Sequence, residues 1–329
     1  MRWRLLLLIG ALATMAGVPL LSGCRDASAP QQATTPAKQP AHPRIALVMK
    51  TLTSPFFVEM EKGARRAEAE LGVELLVKTA AQETSIEQQI AIIDQLTRAK
   101  VDAIIIAPGD SYRLIPGLKK AQAAGIVVVN VDNRLDPEFA RKEGLANVPF
   151  ISVDNRKAVY EATKFLSADV REPTQAAIIE GIRSASNAED RKQGALQAFS
   201  ENKNVSVVGS ESANWKIDDA HDVARKLFAA HPRIRLLVCA NDMMALGAIR
   251  YLQEAKIQGV RIAGYDALDE ARQAMRAGWL AASVDQQAAQ QGFMGVSYAV
   301  RMLKGEKLPA DTMLDTQLVT SKDPAKGMK

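Results

Sequence analysis

From Arg44 onward, short apolar runs alternate with longer stretches in which apolar residues recur every three or four positions. The runs at 45–50, 73–78, 101–107, 126–131, 150–153, 176–180, 205–210, 235–240, 260–265 and 280–284 read as strands. The stretches at about 56–71, 85–99, 111–124, 155–169, 188–201, 217–230, 242–256, 267–277 and 286–304 read as helices. A run that is apolar at successive positions suits a parallel strand, because helices cover both faces of its sheet. Strand–helix alternation implies βαβ units, and so many strands exceed what one sheet comfortably holds. The pattern predicts an α/β chain folded as two Rossmann-like lobes on parallel sheets.

The chemistry gathers where the predicted strands end. The first run passes through Lys50 and Ser54 to Pro55, which suits the first turn of a helix because its missing N–H has no partner to lose. Lys50, Ser54, Phe56 and Phe57 thereby reach the carboxyl edge of a sheet, where open α/β sheets bind ligands. Later runs end in Ala107-Pro108-Gly109-Asp110, Asp132-Asn133-Arg134, Asp154-Asn155, Asn241-Asp242, Asp266 and Asp285-Gln286. Asp110, Asp154 and Asp242 directly precede helical stretches and are expected to cap them. Asp132, Asn241 and Asp266 stand at or just after the last strand position, from which a carboxylate or amide points into the crevice and makes two hydrogen bonds at once. Adjacent sugar hydroxyls offer the matching pairs. Phe56, Phe57 and Trp215 are placed to cover the C–H face of a ring; for Phe56 core packing is an equal expectation. Trp215, in the polar segment Ala213-Asn214-Trp215-Lys216, has no evident core role and is expected to stack on the ligand.

Composition changes this picture little. At 47% hydrophobic and 24% charged residues, the 329-residue chain is globular in type and long enough for two domains. Its charge of +5 comes from Lys and Arg scattered beside acids, as in Glu61-Lys62-Gly63-Ala64-Arg65-Arg66. That is a solvated helix face rather than a nucleic-acid stripe. The N-terminus adds more. Arg2 and Arg4 precede an apolar stretch from Leu5 to Leu21, which ends in Leu21-Ser22-Gly23-Cys24. Residues 1–23 read as a secretory leader, and its ending resembles a bacterial lipobox, which would make Cys24 the lipidated first residue of the mature chain. Residues 24–43, rich in Ala, Pro, Gln and Thr, read as a flexible tether. Cys239 reads as a buried strand cysteine.

Enzyme signatures are missing: there is no G-x-S-x-G, no P-loop and no G-x-G-x-x-G after a strand. His42, His221 and His231 lack metal-site spacing. The expectation is a binding protein that needs no metal and no cofactor.

The motifs together carry a family likeness. K-T-L-T-S-P-F-F-V-E-M-E-K-G-A, V-D-A-I-I-I-A-P, V-V-N-V-D, S-V-D-N, I-I-E-G, A-N-W, C-A-N-D-M-M-A-L-G-A, G-Y-D and L-A-A-S-V-D-Q follow one another between Arg44 and about Thr320. In this the chain resembles the periplasmic sugar-binding proteins of ABC importers, in the group of ribose-, allose- and galactose-binding proteins. Lys50, Ala107-Pro108 and Trp215 look most like the D-allose-binding branch. The resemblance implies two lobes joined by three crossovers near Val153-Asp154, Asp285-Gln286 and Leu314-Thr316, with residues 44–153 and 286–314 in one lobe and 154–285 and 315–329 in the other. It implies ligand contacts from Lys50, Ser54, Phe56, Phe57, Asp132 and Asn133 in the first lobe. In the second lobe and hinge it implies Trp215, Asn241, Asp266 and Gln286, with Arg191 as the candidate second-lobe arginine and Glu189 near the place of another. Three positions depart from the pattern. Ser54 and Ala107 replace asparagines, and Asn133 replaces a long residue whose role Arg134 is placed to take over. The implied partners are a monosaccharide, the membrane subunits of an ABC permease with their ATPase, and the membrane through Cys24; the protein would act as a monomer and bind no nucleic acid. A chemoreceptor or sensor kinase is the alternative reader of the same fold. The effector domain of a LacI-type repressor would require a helix-turn-helix where the leader and tether stand.

Overall fold

The structure, a computed structural model, describes residues 42–321 and residue 323. The expected leader, Cys24 and nearly all of the expected tether lie outside those residues.

The chain first builds β1 (Arg44–Met49), α1 (Pro55–Leu71), β2 (Glu74–Thr79), α2 (Ile86–Arg98), β3 (Ala103–Ile106), α3 (Ile115–Ala123), β4 (Val127–Val131), α4 (Pro137–Glu143) and β5 (Phe150–Val153). It then passes to a second sheet through α5 (Asn155–Ser167), β6 (Thr174–Glu180), α6 (Ser186–Ser200), β7 (Val205–Ser212), α7 (Ile217–Ala230), β8 (Ile234–Cys239), α8 (Asp242–Glu254), β9 (Arg261–Ala263), α9 (Asp269–Arg276) and β10 (Ala282–Asp285). From there α10 (Ala288–Leu303) returns to the first sheet, β11 (Asp311–Leu314) joins its edge, and β12 (Gln317–Thr320) joins the edge of the second.

The two sheets have the same plan. The first runs β2-β1-β3-β4-β5-β11 with every pair parallel; the second runs β7-β6-β8-β9-β10-β12 and is parallel except for β12 against β10. Successive side chains of a strand point to opposite faces. Ile45, Leu47 and Met49 therefore enter one core with Phe57 and Met60, while Ala46 and Val48 enter another with Ile104 and Leu118. Burial on both faces is what made these strands readable as unbroken apolar runs. Cys239 closes β8 in the same way, buried and free, with its thiol pushed up by burial.

Three elements were not visible as runs. The strands β11 and β12 are four-residue edge strands, β11 with exposed alternate residues and β12 with only Val319 buried, so they never present a continuous apolar signature. The short helix α4 buries no residue and carries no apolar stripe. The stretch read as a helix from 111 forms its helix only from Ile115, because Asp110 first accepts the N–H groups of Tyr112 and Arg113 and turns the chain.

Helix α1 sets the site's first wall. Ser54 stands at its N-cap in extended geometry, Pro55 follows, and Gly72 ends it at φ 66°. Its register against α10 is fixed by close backbone approach. A Cβ on Gly63 would lie 1.7 Å from the Ala289 carbonyl oxygen, and one on Gly292 would lie 2.0 Å from that of Met60.

Candidate functional site

The carboxyl ends of both sheets face one cavity, with Lys50, Ser54, Phe56, Phe57, Glu83 and Asp132 on one side and Asn187, Arg191, Trp215, Asn241, Asp266 and Gln286 on the other.

Each wall residue is delivered by a strand end. Lys50 follows β1, Glu83 lies in the loop after β2, and Asp132 follows β4. On the second sheet Trp215 follows β7, Asn241 follows β8, Asp266 follows β9 and Gln286 follows β10, while Asn187 and Arg191 stand in the first turns of α6 after β6. Asp132, Trp215 and Asp266 have φ of 63°, 65° and 110°. Residues other than glycine rarely adopt such values, which cost of order 1–3 kcal/mol each and gather at ligand sites.

Lys50 is almost wholly buried; its Nζ lies 2.8 Å from Asp132 Oδ2 and 3.8 Å from Glu83 Oε2. Burial raises the Glu83 carboxyl to about 7, and Lys50 draws it back down only in part. Opposite, Arg191 lies over Tyr265 at 3.7 Å. Its Nε donates to Asn155 Oδ1, Nη1 to the Ala240 carbonyl and Nη2 to Gln286 Oε1. Gln286 Nε2 in turn donates to Asp266 Oδ1 at 2.6 Å. Asp266 is also raised to about 7, chiefly by burial, with Arg191 opposing.

The apolar faces are Phe56 and Phe57, set edge to face at 4.9 Å, and Trp215. Trp215 belongs to the core as well as to the cavity. It is 5% exposed, and its ring lies so close over Gly181 that a Cβ there would be 2.1 Å from it. The expectation that it has no core role is corrected, because the polar loop carrying it folds down onto β6. Two buried polar atoms of the wall, Trp215 Nε1 and Asn187 Oδ1, have no hydrogen-bond partner among the described residues. Buried polar atoms are normally paired, so a ligand with hydroxyls would satisfy them.

Several expected roles fall elsewhere. Asn133 does not line the cavity. Its Nδ2 donates to the Pro108 carbonyl and Ser111 Oγ, and its Oδ1 accepts from Ser186 Oγ and the Asn187 N–H. All of its capacity is spent on protein, so it is removed from the ligand set. Arg134 does not take over: it lies over Phe150 at 4.1 Å and pairs with Asp311. Asp242 is not the cap of α8. Asn241 is, accepting the Met244 N–H, while the fully buried Asp242 accepts from Ser283 Oγ and the Leu268 N–H. Asp154 caps α5 through the Lys157 N–H. Glu189 is exposed and pairs with Lys192. Ser54, at the N-cap of α1, makes no capping bond with its hydroxyl.

Two wall residues had no place in the sequence reading. Glu83 obeys the same strand-end rule as the others, but it stands several residues beyond β2 in Ala80-Ala81-Gln82-Glu83-Thr84. Asn187 falls just before the helix that the pattern predicts from 188, whereas α6 begins at Ser186.

The periplasmic binding protein domain matches residues 45–307. The D-ribose/D-allose-binding protein of Pseudomonas aeruginosa is 37% identical over 273 residues, 82% of this chain and 85% of that one. The D-allose-binding periplasmic protein of Escherichia coli is 32% identical, over 84% of this chain and 90% of its own. A solved ABC transporter periplasmic solute-binding protein from Actinobacillus succinogenes with bound D-allose superposes at a TM-score of 0.80 with 34% identity, covering 85% of this chain and 98% of the other. The chain belongs to the periplasmic binding protein family.

Proposed function

We propose that this protein captures a neutral monosaccharide, of the allose or ribose kind, and delivers it to an ABC importer. The observation that carries the reading is the make-up of the cavity wall. Two cations and three carboxylates face each other across aromatic faces, with Trp215 Nε1 and Asn187 Oδ1 buried and unpartnered. Carboxylates and amides accept from adjacent hydroxyls, Lys50 and Arg191 donate to ring or hydroxyl oxygens, and Phe56, Phe57 and Trp215 cover apolar C–H faces. With three acids to two bases, the wall does not favour an anionic ligand.

The proposed mechanism is closure about the three crossovers. Ligand contacts from both sheets coexist only when the lobes meet, so binding shifts the population towards that state, and the permease reads the closed form. No bond is made or broken, and the wall supplies no nucleophile with an adjacent base. The names of the relatives and the sugar held in the superposed structure support the ligand class.

The proposal includes a lipid anchor on Cys24, supported by Leu21-Ser22-Gly23-Cys24 after the apolar stretch. Cys24→Ala should release the protein from membranes; continued attachment would end that part of the proposal. Binding itself is tested by titration with D-allose, D-ribose and their epimers, where a saturable signal with a small stereochemical set is the expected result and none with any neutral sugar is the contrary one.

A further inference from the structure

Helix α6 carries two residues of the second wall, Asn187 and Arg191, and its N-terminus has no cap of its own. The N-cap residue is Ala185, in extended geometry, with no side chain to accept a hydrogen bond. The first helical N–H groups are free of intrahelical partners in any helix. Here they are met from the other sheet. The Ser186 N–H donates to Ser111 Oγ at 3.0 Å, and the Asn187 N–H donates to Asn133 Oδ1 at 3.2 Å. Ser186 Oγ donates to the same Asn133 oxygen, and the Ser111 N–H donates to the Ser184 carbonyl at 3.0 Å. Ser111 and Asn133 bond each other and are held by the Pro108 and Asp136 backbones, all in loops of the first sheet. Both are buried.

We propose that Ser111 and Asn133 are positioning residues for ligand capture: reaching from the first lobe, they cap α6 of the second and so fix Asn187 and Arg191 where the ligand meets them. This rests on the reading of the protein as a sugar binder that closes. The geometry of the contact is that of an N-cap, in which an oxygen accepts the N–H of the second or third helical residue, but here the oxygen and the helix belong to different lobes. When the lobes part, α6 loses its acceptors to water. When they meet, capping adds free energy to the closed state that no ligand atom supplies. A contact of this kind acts on every ligand alike, whereas a wall residue discriminates between epimers.

The test uses the full chain with Asn133→Ala and Ser111→Ala, titrated with D-allose and D-ribose. In parallel, the distance between probes at the exposed Lys142 of α4 and Lys226 of α7 is measured without ligand. Asn133→Ala should raise Kd about tenfold, or ~1.4 kcal/mol, for both sugars in the same ratio, and deplete the short-distance population severalfold. Adding Ala185→Ser gives α6 a cap from its own lobe. It should restore the melting temperature lost in Asn133→Ala while leaving Kd raised. An unchanged distance distribution would overturn the proposal, as would a changed ratio between the sugars or a Kd restored by Ala185→Ser. The ligand-free distance readout decides the matter even for a protein that binds neither sugar, which separates this failure from failure of the sugar-binding reading.

Discussion

Two residues of the cavity wall bear on the stability of the fold, in opposite senses. Glu83 is brought beside Lys50, Asp132 and Asp266 in a site where burial raises its carboxyl to about 7. Its unfolded value is near 4.5, so between these values the folded chain holds the extra proton. The stability this group contributes is present in full below about pH 4.5 and is lost as pH rises through 7. A shift of that size corresponds to at most about 3 kcal/mol, less what water screens at its partly exposed side chain. Melting temperatures of the ligand-free protein should fall from pH 5 to pH 8, and Glu83→Gln should flatten that slope, leaving the share due to Asp266. A slope unchanged by the substitution would contradict the assignment. Trp215 is the second case. Because its ring packs over Gly181 at 5% exposure, Trp215→Ala should cost about 3–5 kcal/mol of ligand-free stability as well as binding. Trp215→Phe keeps a ring but removes Nε1, and should weaken sugar binding with a smaller stability loss; equal losses in both variants would reduce Trp215 to a core residue. Most of the wall was legible in the sequence because strand ends announce themselves as polar residues after apolar runs. Asn133, which the resemblance puts among the ligand contacts, misled because a matching position says nothing about where an amide's hydrogen bonds go.

Elements were legible in proportion to their burial. Strands covered on both faces, such as β1 and β3, showed as unbroken apolar runs, whereas β11 and β12 are edges of four residues with only one buried residue between them. Their presence followed only from the resemblance, which required a third crossover near Leu314-Thr316. The start of α6 was hidden for a different reason: its capping groups come from loops 75 and 54 positions earlier in the chain, so no local signal marks it. The contact between α1 and α10 is equally silent in the pattern. It depends on Gly63 and Gly292 at points where a Cβ would strike backbone carbonyls. Gly292→Ala should destabilise the fold by about 1–3 kcal/mol, and weaken binding in addition, because α1 carries Phe56 and Phe57. Chemical denaturation of the variant, with sugar affinity measured alongside, checks both effects; wild-type stability would show that the helices move apart at no cost.

At the scale of the molecule, the duplicated plan explains why one cavity collects so many polar groups. The parallel strands of each sheet end at one edge, and both edges contribute residues to the same cavity wall. The fold class followed from strand–helix alternation, because that pattern admits few architectures. The ligand did not follow so directly. On the proposed reading, charge and apolar faces favour a neutral polyol, and its stereochemistry would depend on wall groups such as Glu83 and Arg191 that lie far apart in sequence. The most direct test of the account is a calorimetric titration of the ligand-free protein with D-allose, D-ribose and their epimers, paired with melting curves. Saturable one-to-one binding of at least one of these sugars is expected, with a melting temperature that rises with its concentration. A folded protein that gives neither heat nor a shift with any neutral monosaccharide would contradict it.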